Sequence, residues 1–243
     1  MKKLKIALSG YGKMGREVER TAISRHHDVV ARLDNMQDWK RFTDSKTKVD
    51  VVIDFSMPSV ALDVFATCFN LGIPLVTGTT GWYDQKEMVF KMADEKQASL
   101  FYAPNFSIGV NLFFYINRKL AGLMNTVSGY DVSITETHHI HKLDAPSGTA
   151  IKAASDIIDE TENLTGWSQE LKQSGKLPIY SIREGEVTGT HEIVWQSDAD
   201  EIILKHVAKN RSGFALGAVM AAEYIQGKKG IFTMENMLDL KSH

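Results

Sequence analysis

The chain has 243 residues, 43% apolar and 24% charged, with a formal net charge of -2. That length accommodates one large domain or two small ones, and the balance excludes the basic excess of a dedicated nucleic-acid or membrane-surface binder. A single cysteine, Cys68, excludes an intramolecular disulfide and a thiolate metal cluster within one chain. The basic start, Met1 to Lys5, leads into an apolar run that ends at Ser9-Gly10, too short for a signal peptide. No later run approaches a membrane span, so a cytoplasmic protein is expected.

In chain order, Lys5–Ser9, Asp28–Leu33, Asp50–Phe55, Ile73–Thr77 and Ser99–Ala103 are short, β-branched and apolar on both faces, as covered parallel strands must be. Helix-period segments lie between them near Met14–Ile23, Ser59–Leu71 and Asp84–Lys96. This alternation predicts right-handed crossovers and a doubly wound parallel sheet, with Cys68 on a buried helix face. After Pro104-Asn105-Phe106, a helix over Gly109–Met124 leads to Tyr130–Ile140. There Tyr130, Val132 and Ile134 alternate with polar residues, the mark of an antiparallel strand buried on one face. A helix near Ser147–Glu160 and a polar, irregular excursion over Glu162–Pro178 follow. Strands at Tyr180–Arg183, His191–Trp195 and Glu201–Val207, a Gly- and Ala-rich helix over Gly213–Ile225 and a short tail complete the chain. Most of the ten methionines are expected to fill the core, Trp39 and Trp82 to pack, with lining a ligand cleft as the alternative, and Lys228-Lys229 to end a helix in solvent.

Gly10-Tyr11-Gly12-Lys13-Met14-Gly15 fits G-x-G-x-x-G where the first strand passes into the first helix. Gly10 permits the turn, Gly12 admits a pyrophosphate, Gly15 lets helix and strand approach, and the helix start offers N–H groups to phosphate. Asp34, at the end of the second strand, is placed to accept from the ribose hydroxyls. Its charge opposes a 2′-phosphate while Lys13 and Arg16 offset it, so NADH and NADPH both remain open. The fold expected is therefore α/β, in two parts. Residues 1–107 and 212–243 form a Rossmann-type dinucleotide-binding domain, and residues 108–211 an inserted α+β domain with a mixed or antiparallel sheet.

Thr137 to Ala150 reads THHIHKLDAPSGTA, with three histidines and a lysine in five residues. On an extended strand His139 and His141 share one face, with His138 and Lys142 on the other. Neither face supplies three convergent metal ligands, so no metal is expected. The pattern fits acid–base work on an anion: histidine shuttles protons near neutral pH, and Lys142 adds a positive charge. Ala145-Pro146-Ser147-Gly148-Thr149 reads as a turn into a helix whose start can grip a carboxylate, capped by Ser147 or Thr149.

These residues together resemble the 4-hydroxy-tetrahydrodipicolinate reductase family. The resemblance rests on Gly10–Arg16, Val52–Ser56, Gly78–Gly81, Ala103–Ser107, Glu136–Ala150, Arg183–Gly185, Gly189–His191, Lys205–Ala208, Arg211 and the helix over Gly213–Ala222. It implies a cytoplasmic homotetramer, joined through the sheets of the second domain, that reduces a cyclic dicarboxylate imine to tetrahydrodipicolinate with NADH or NADPH. It implies His138 as the acid–base residue, Lys142 as proton donor, and His139, Gly148, Thr149 and Arg211 as substrate contacts. Gly10 to Gly15, Asp34, Gly78, Thr79, Thr80, Ala103, Pro104, Asn105 and Phe106 are implied around the cofactor. Hydride would add to ring C4, and Lys142 or His138 would protonate C3. Members often carry an arginine directly after the acidic residue; Asn35 stands there in this chain.

Overall fold

Apolar residues that alternate to both sides of a short strand require cover on both sides, and the N-terminal sheet has it. The computed structural model describes residues 2–170 and 173–240. It divides into two compact units, residues 1–108 with 211–243 and residues 109–210. Met1, Leu171, Lys172 and residues 241–243, parts of the basic start, the polar excursion and the tail, lie outside the described residues.

The first unit holds strands β1 (Lys5–Ser9), β2 (Asp28–Leu33), β3 (Val51–Asp54), β4 (Leu75–Thr77) and β5 (Ser99–Tyr102). A short C-terminal strand that the periodicity did not reveal, Gly230–Phe232, joins them beside β5. All pair in parallel, in the order Gly230–Phe232, β5, β4, β3, β1, β2. Helix α1 (Lys13–Ser24) helps cover one face, where Val18 and Ala22 pack with Ile6, Leu8, Ile53 and Phe101. Ala215, Ala218, Val219 and Ala222 of the late helix Ser212–Tyr224 join that layer. The other face receives α3 (Pro58–Asn70) and α4 (Lys86–Glu95), whose Phe65, Cys68, Val89 and Ala93 meet Ala7, Val52, Leu75 and Leu100.

Helix α2 (Met36–Ser45) was not legible in the apolar pattern, because it buries only Phe42. Its start comes from Asn35, whose side chain accepts from Gln37 N and Asp38 N, a cap worth about 1 kcal/mol. Lys46, left-handed at φ 51, ends it.

In the second unit, α5 (Ile108–Met124), all but its first residue, and α6 (Gly148–Asp159) pack against one face of a five-stranded sheet. Phe113, Ala121, Ala150, Ala153 and Ile157 meet Ile134, Ile179, Ile193 and Trp195 there. The strands are β6 (Asp131–His138), β7 (Trp167–Ser168), β8 (Leu177–Arg183), β9 (Gly189–Gln196) and β10 (Glu201–Ala208). Their order is β10-β9-β6-β8-β7. The sheet is mixed: β9 runs antiparallel to β6 and β10, while β8 runs parallel to β6 and β7. The chain crosses over through α6 before β8, so the pairing is parallel where a hairpin would have reversed it. Two residues of the expected irregular excursion form β7, and its end already belongs to β8. The strand expected to reach Ile140 stops at His138.

The other expectations resolve individually. Cys68 and Trp82 are buried, but Met36, Met57 and Met88 are exposed rather than core. Lys228 lays its ammonium over the Tyr224 ring, 3.0 Å from the centroid, so this basic end is not purely solvated. The helix Ser212–Tyr224 is α7, and Met234–Met237 forms a final turn, α8, opened by a Thr233–Asn236 capping box.

Candidate active site

In the first unit the chain leaves β1 toward β2 on one side and later returns to β3 on the other, and a crevice opens where such a sheet changes direction. The turn after β1 begins with Gly10 at φ 79, a left-handed conformation that glycine adopts without penalty. A Cβ on Gly15 would stand 2.3 Å from Gly10 O, whereas one on Gly12 would meet nothing within 4 Å. So Gly15 lets α1 dock tightly and Gly12 leaves open room beside the helix start. Gly12 is the N-cap of α1 and brings no side chain to it, which leaves first-turn N–H groups for an anion. A dinucleotide's pyrophosphate fits this cradle.

Asp34 receives Tyr11 N on Oδ1 at 2.8 Å, and its own N–H donates to Asp38 Oδ2 at 3.1 Å. A cleft of about 430 Å³ opens here, lined by Gly12, Asp34, Met36, Trp39, Met57 and Asp63 among others, with no Lys or Arg among the described residues that line it. Trp39 therefore faces the cleft as well as packing edge-on against Phe42. Arg16 and Arg32 stack over Tyr11 instead, at 5.6 and 5.5 Å from the ring centroid. Arg32 and the Tyr11 hydroxyl both bond Glu19.

Buried Asp54 builds the next loop. Its Oδ2 accepts from the hydroxyls of Thr77 (2.8 Å) and Thr79 (2.7 Å), and its Oδ1 from Ser56 N (3.2 Å). Thr79 O takes the Trp82 indole N–H. These bonds shape Gly78-Thr79-Thr80 at the end of β4. Ala103-Pro104-Asn105-Phe106 follows β5, where Asn105 Oδ1 accepts Ser107 N. The implied cofactor residues thus collect at the carboxyl ends of β1, β2, β4 and β5. Arg211 belongs to this unit, at the N-cap of α7.

In the second unit, Glu136 and His138 point to the same face of β6, two residues apart. Register sets His191 of β9 opposite Glu136 and Arg183 of β8 opposite His138. Fully buried Glu136 accepts Ser147 N and Arg183 Nη2 on Oε1, each at 3.1 Å. Burial alone would raise its pKa, but hydrogen-bonding groups, Ser147 and Arg183 among them, together hold the carboxyl below the usual range. Its Oε2 lies 3.2 Å from His138 Nδ1 and 3.9 Å from His191 Nε2. Burial lowers the pKa of His138 despite the opposing Glu136 charge. Burial and the neighbouring His138 push His191 down to about 4.

The two imidazoles meet edge to face at 5.1 Å. Atoms of Glu136, His138 and His191 converge within 4.8 Å, a metal-like spacing that the local pattern of the histidine segment could not show. Arg183 already supplies positive charge to Glu136, which disfavours a cation there.

Lys142 lies in the turn after β6, bound to both oxygens of Asp144 at 2.7 and 2.8 Å. Arg183 braces this turn through the carbonyls of Lys142 (3.2 Å) and Asp144 (2.6 Å). His139 and His141 are not on an extended strand as expected; the strand has ended and their rings lie 5.9 Å apart. Ser147 caps α6, accepting Ala150 N on its hydroxyl, which also pairs with His191 Nε2 at 3.1 Å. Gly148 and Thr149 occupy the first turn, whose N–H groups point out of the helix end. The sequence by itself assigns no role to Glu136, Arg183 or His191. The i, i+2 spacing of Glu136 and His138 was a usable signal; nothing local links His191 to either.

A Rossmann-type unit with a phosphate cradle, and a second unit with a histidine–lysine centre, define a two-part nicotinamide-dependent oxidoreductase. Residues 4–106 match the profile described as dihydrodipicolinate reductase, N-terminus, and residues 109–238 that of its C-terminus. The chain belongs to the dihydrodipicolinate reductase family. It is 44% identical to the 4-hydroxy-tetrahydrodipicolinate reductase of Christiangramia forsetii over 97% of this chain and 98% of the relative. It is 36% identical to that of Rickettsia bellii over 95% and 93%. Among solved structures it is similar to the dipicolinate-bound dihydrodipicolinate reductase from Paenisporosarcina sp. TG-14, with a TM-score of 0.79, 25% identity, and coverage of 97% and 99%.

Proposed function

We propose that this chain reduces the cyclic dicarboxylate imine formed from 4-hydroxy-tetrahydrodipicolinate to (S)-2,3,4,5-tetrahydrodipicolinate, in lysine and diaminopimelate synthesis. The observation that carries this is the convergence of His138, Glu136, Arg183 and His191 beside Lys142 and the open start of α6. A bound nicotinamide supplies a hydride, here to ring C4 after water has left that carbon. The protein's residues do the rest. The first-turn N–H groups of Gly148 and Thr149 hold one ring carboxylate, and His139 helps hold the anion. Lys142, kept by Asp144, delivers the proton to C3, and His138 serves as its acid–base neighbour.

NADH is the preferred reductant in this reading. Asp34 and Asp63 line the cleft of the first unit, and a 2′-phosphate would meet their charge without a lining Lys or Arg among the described residues. Gly10 to Gly15, Gly78 to Thr80 and Ala103 to Phe106 surround that cofactor. The working form is a homotetramer: the sheet face opposite α5 and α6 exposes Ile182, Ile203 and Val207, an apolar surface that a second copy can cover. The place of work is the cytoplasm, as the family resemblance implies. Among the described residues no helix is long and apolar enough to cross a membrane.

The test supplies substrate in place from pyruvate and aspartate semialdehyde through the preceding synthase and follows NADH and NADPH oxidation in separate cuvettes. Oxidation that requires every component is expected, faster with NADH at equal low concentration. Binding of both cofactors with no substrate-dependent oxidation overturns the reading.

A further inference from the structure

We infer that Glu136 is a positioning residue that acts through His138, orienting its imidazole through Nδ1, and that Gly189 provides the space the ring occupies. The inference deepens the proposed reaction and rests on His138 being its acid–base residue.

Arg183 and the Ser147 N–H engage Glu136 Oε1, which fixes the rotation of the carboxylate. Its Oε2 then lies 3.2 Å from His138 Nδ1. Both atoms are buried, and neither has a hydrogen-bond partner among the described residues, so each has the other as its nearest ion-pair partner. A buried nitrogen and a buried anion left to each other are best satisfied by a proton on Nδ1, which leaves Nε2 with the free lone pair.

The other edge of the ring is set by what is missing. A Cβ on Gly189 would stand 3.0 Å from His138 Nε2 and 3.3 Å from Cδ2. Even alanine there crowds the nitrogen that must exchange protons. The groups facing His138 are Glu136 on its own strand, His191 on β9, Arg183 on β8, and Lys142 and Asp144 on the following turn. Glu136 and Asp144 favour a charged His138, while Arg183 and Lys142 oppose it. Removing the Glu136 charge therefore tips the balance toward the neutral ring.

The test compares the unmodified protein, Glu136→Gln, Gly189→Ala, His138→Gln and the double variant Glu136→Gln/His138→Gln. Turnover and the KM for NADH are measured on each, and the pH dependence of histidine C2-proton exchange at His138, read by mass spectrometry, on those that keep His138. Expected for Glu136→Gln is a fall in kcat of about tenfold or more with the NADH KM within about twofold. The His138 titration should move lower, because the Glu136 charge that favours the protonated ring is gone. In the double variant, Glu136→Gln should add little to the loss from His138→Gln. Gly189→Ala, which leaves every charged partner in place, should lower kcat without changing the NADH KM. An unmoved His138 titration in Glu136→Gln overturns the inference, as does equal loss with and without His138. If Glu136→Gln does not fold, full activity in Gly189→Ala overturns it. Wild-type turnover in His138→Gln sinks the acid–base reading itself, an outcome separate from the exchange result.

Discussion

Arg183 donates to Glu136 across 3.1 Å, from the end of β8 into a carboxylate that is wholly buried on β6. The same guanidinium holds the carbonyls of Lys142 and Asp144, so one side chain joins the strand-end acid to the turn that carries the lysine. Replacing Arg183 with Met leaves Glu136 buried without its cation. Loss of one partner of a buried pair costs about 3 kcal/mol or more. A urea titration should show the midpoint falling while the slope holds, and an unchanged midpoint would show that the pair does not stabilise the fold.

Acid should destabilise this unit before it affects exposed carboxylates. His191 titrates near 4 when folded, against an ordinary value of 6.5, so the unfolded chain binds the proton first. Its contribution is complete above about pH 6.5 and is lost as pH falls toward about 4, for a total of roughly 3 kcal/mol. Glu136, with its pKa held low, adds a further loss only as pH falls through its folded value, below the ordinary 4.5. Unfolding free energy measured from pH 7 to pH 4 should decline in the protein and decline less in His191→Gln. Parallel curves would refute the histidine's part.

Lys142→Ala removes the proposed proton source and the partner of Asp144. Turnover should fall on the order of 10²–10⁴-fold, the range for loss of a general acid. NADH affinity, measured by fluorescence titration, should stay near that of the unmodified protein, because Lys142 and the phosphate cradle belong to different units. Equal loss of binding and turnover would make Lys142 structural.

Cofactor choice should respond to Asp34. Its Oδ1 accepts Tyr11 N, a bond that asparagine can keep through its own carbonyl, so Asp34→Asn removes charge with little disturbance of the turn. The kcat/KM ratio of NADPH to NADH should rise about tenfold, as expected for one fewer carboxylate near a 2′-phosphate. An unchanged ratio would move discrimination to Asp63 or beyond the cleft.

Within the chain, local order carried much of this. Apolar runs such as Lys5–Ser9 and Ser99–Ala103 announce covered strands because both faces of a parallel strand must be buried. Gly10 and Gly15 mark a phosphate turn because its geometry needs residues without side chains there, and Gly12 because a pyrophosphate must come close to the backbone. The dense histidine–lysine segment, with Ser147 before a helix, marked the chemistry because proton carriers and a helix start were contiguous in sequence.

Other features depended on contacts that no local pattern records. Helix α2 exists through the Asn35 cap and buries only Phe42, so no apolar period announced it. Gly230–Phe232 is a strand because β5 offers it an edge. β8 is parallel to β6 because α6 intervenes, which sets Arg183 opposite His138. His191 reaches Glu136 through antiparallel register across 55 positions of sequence. Residue types and their near neighbours determined which reaction class the chain can perform. Only pairing between distant strands decided which buried charges surround His138, because a strand's partners are chosen by long-range hydrogen bonding and shared burial, not by its own sequence.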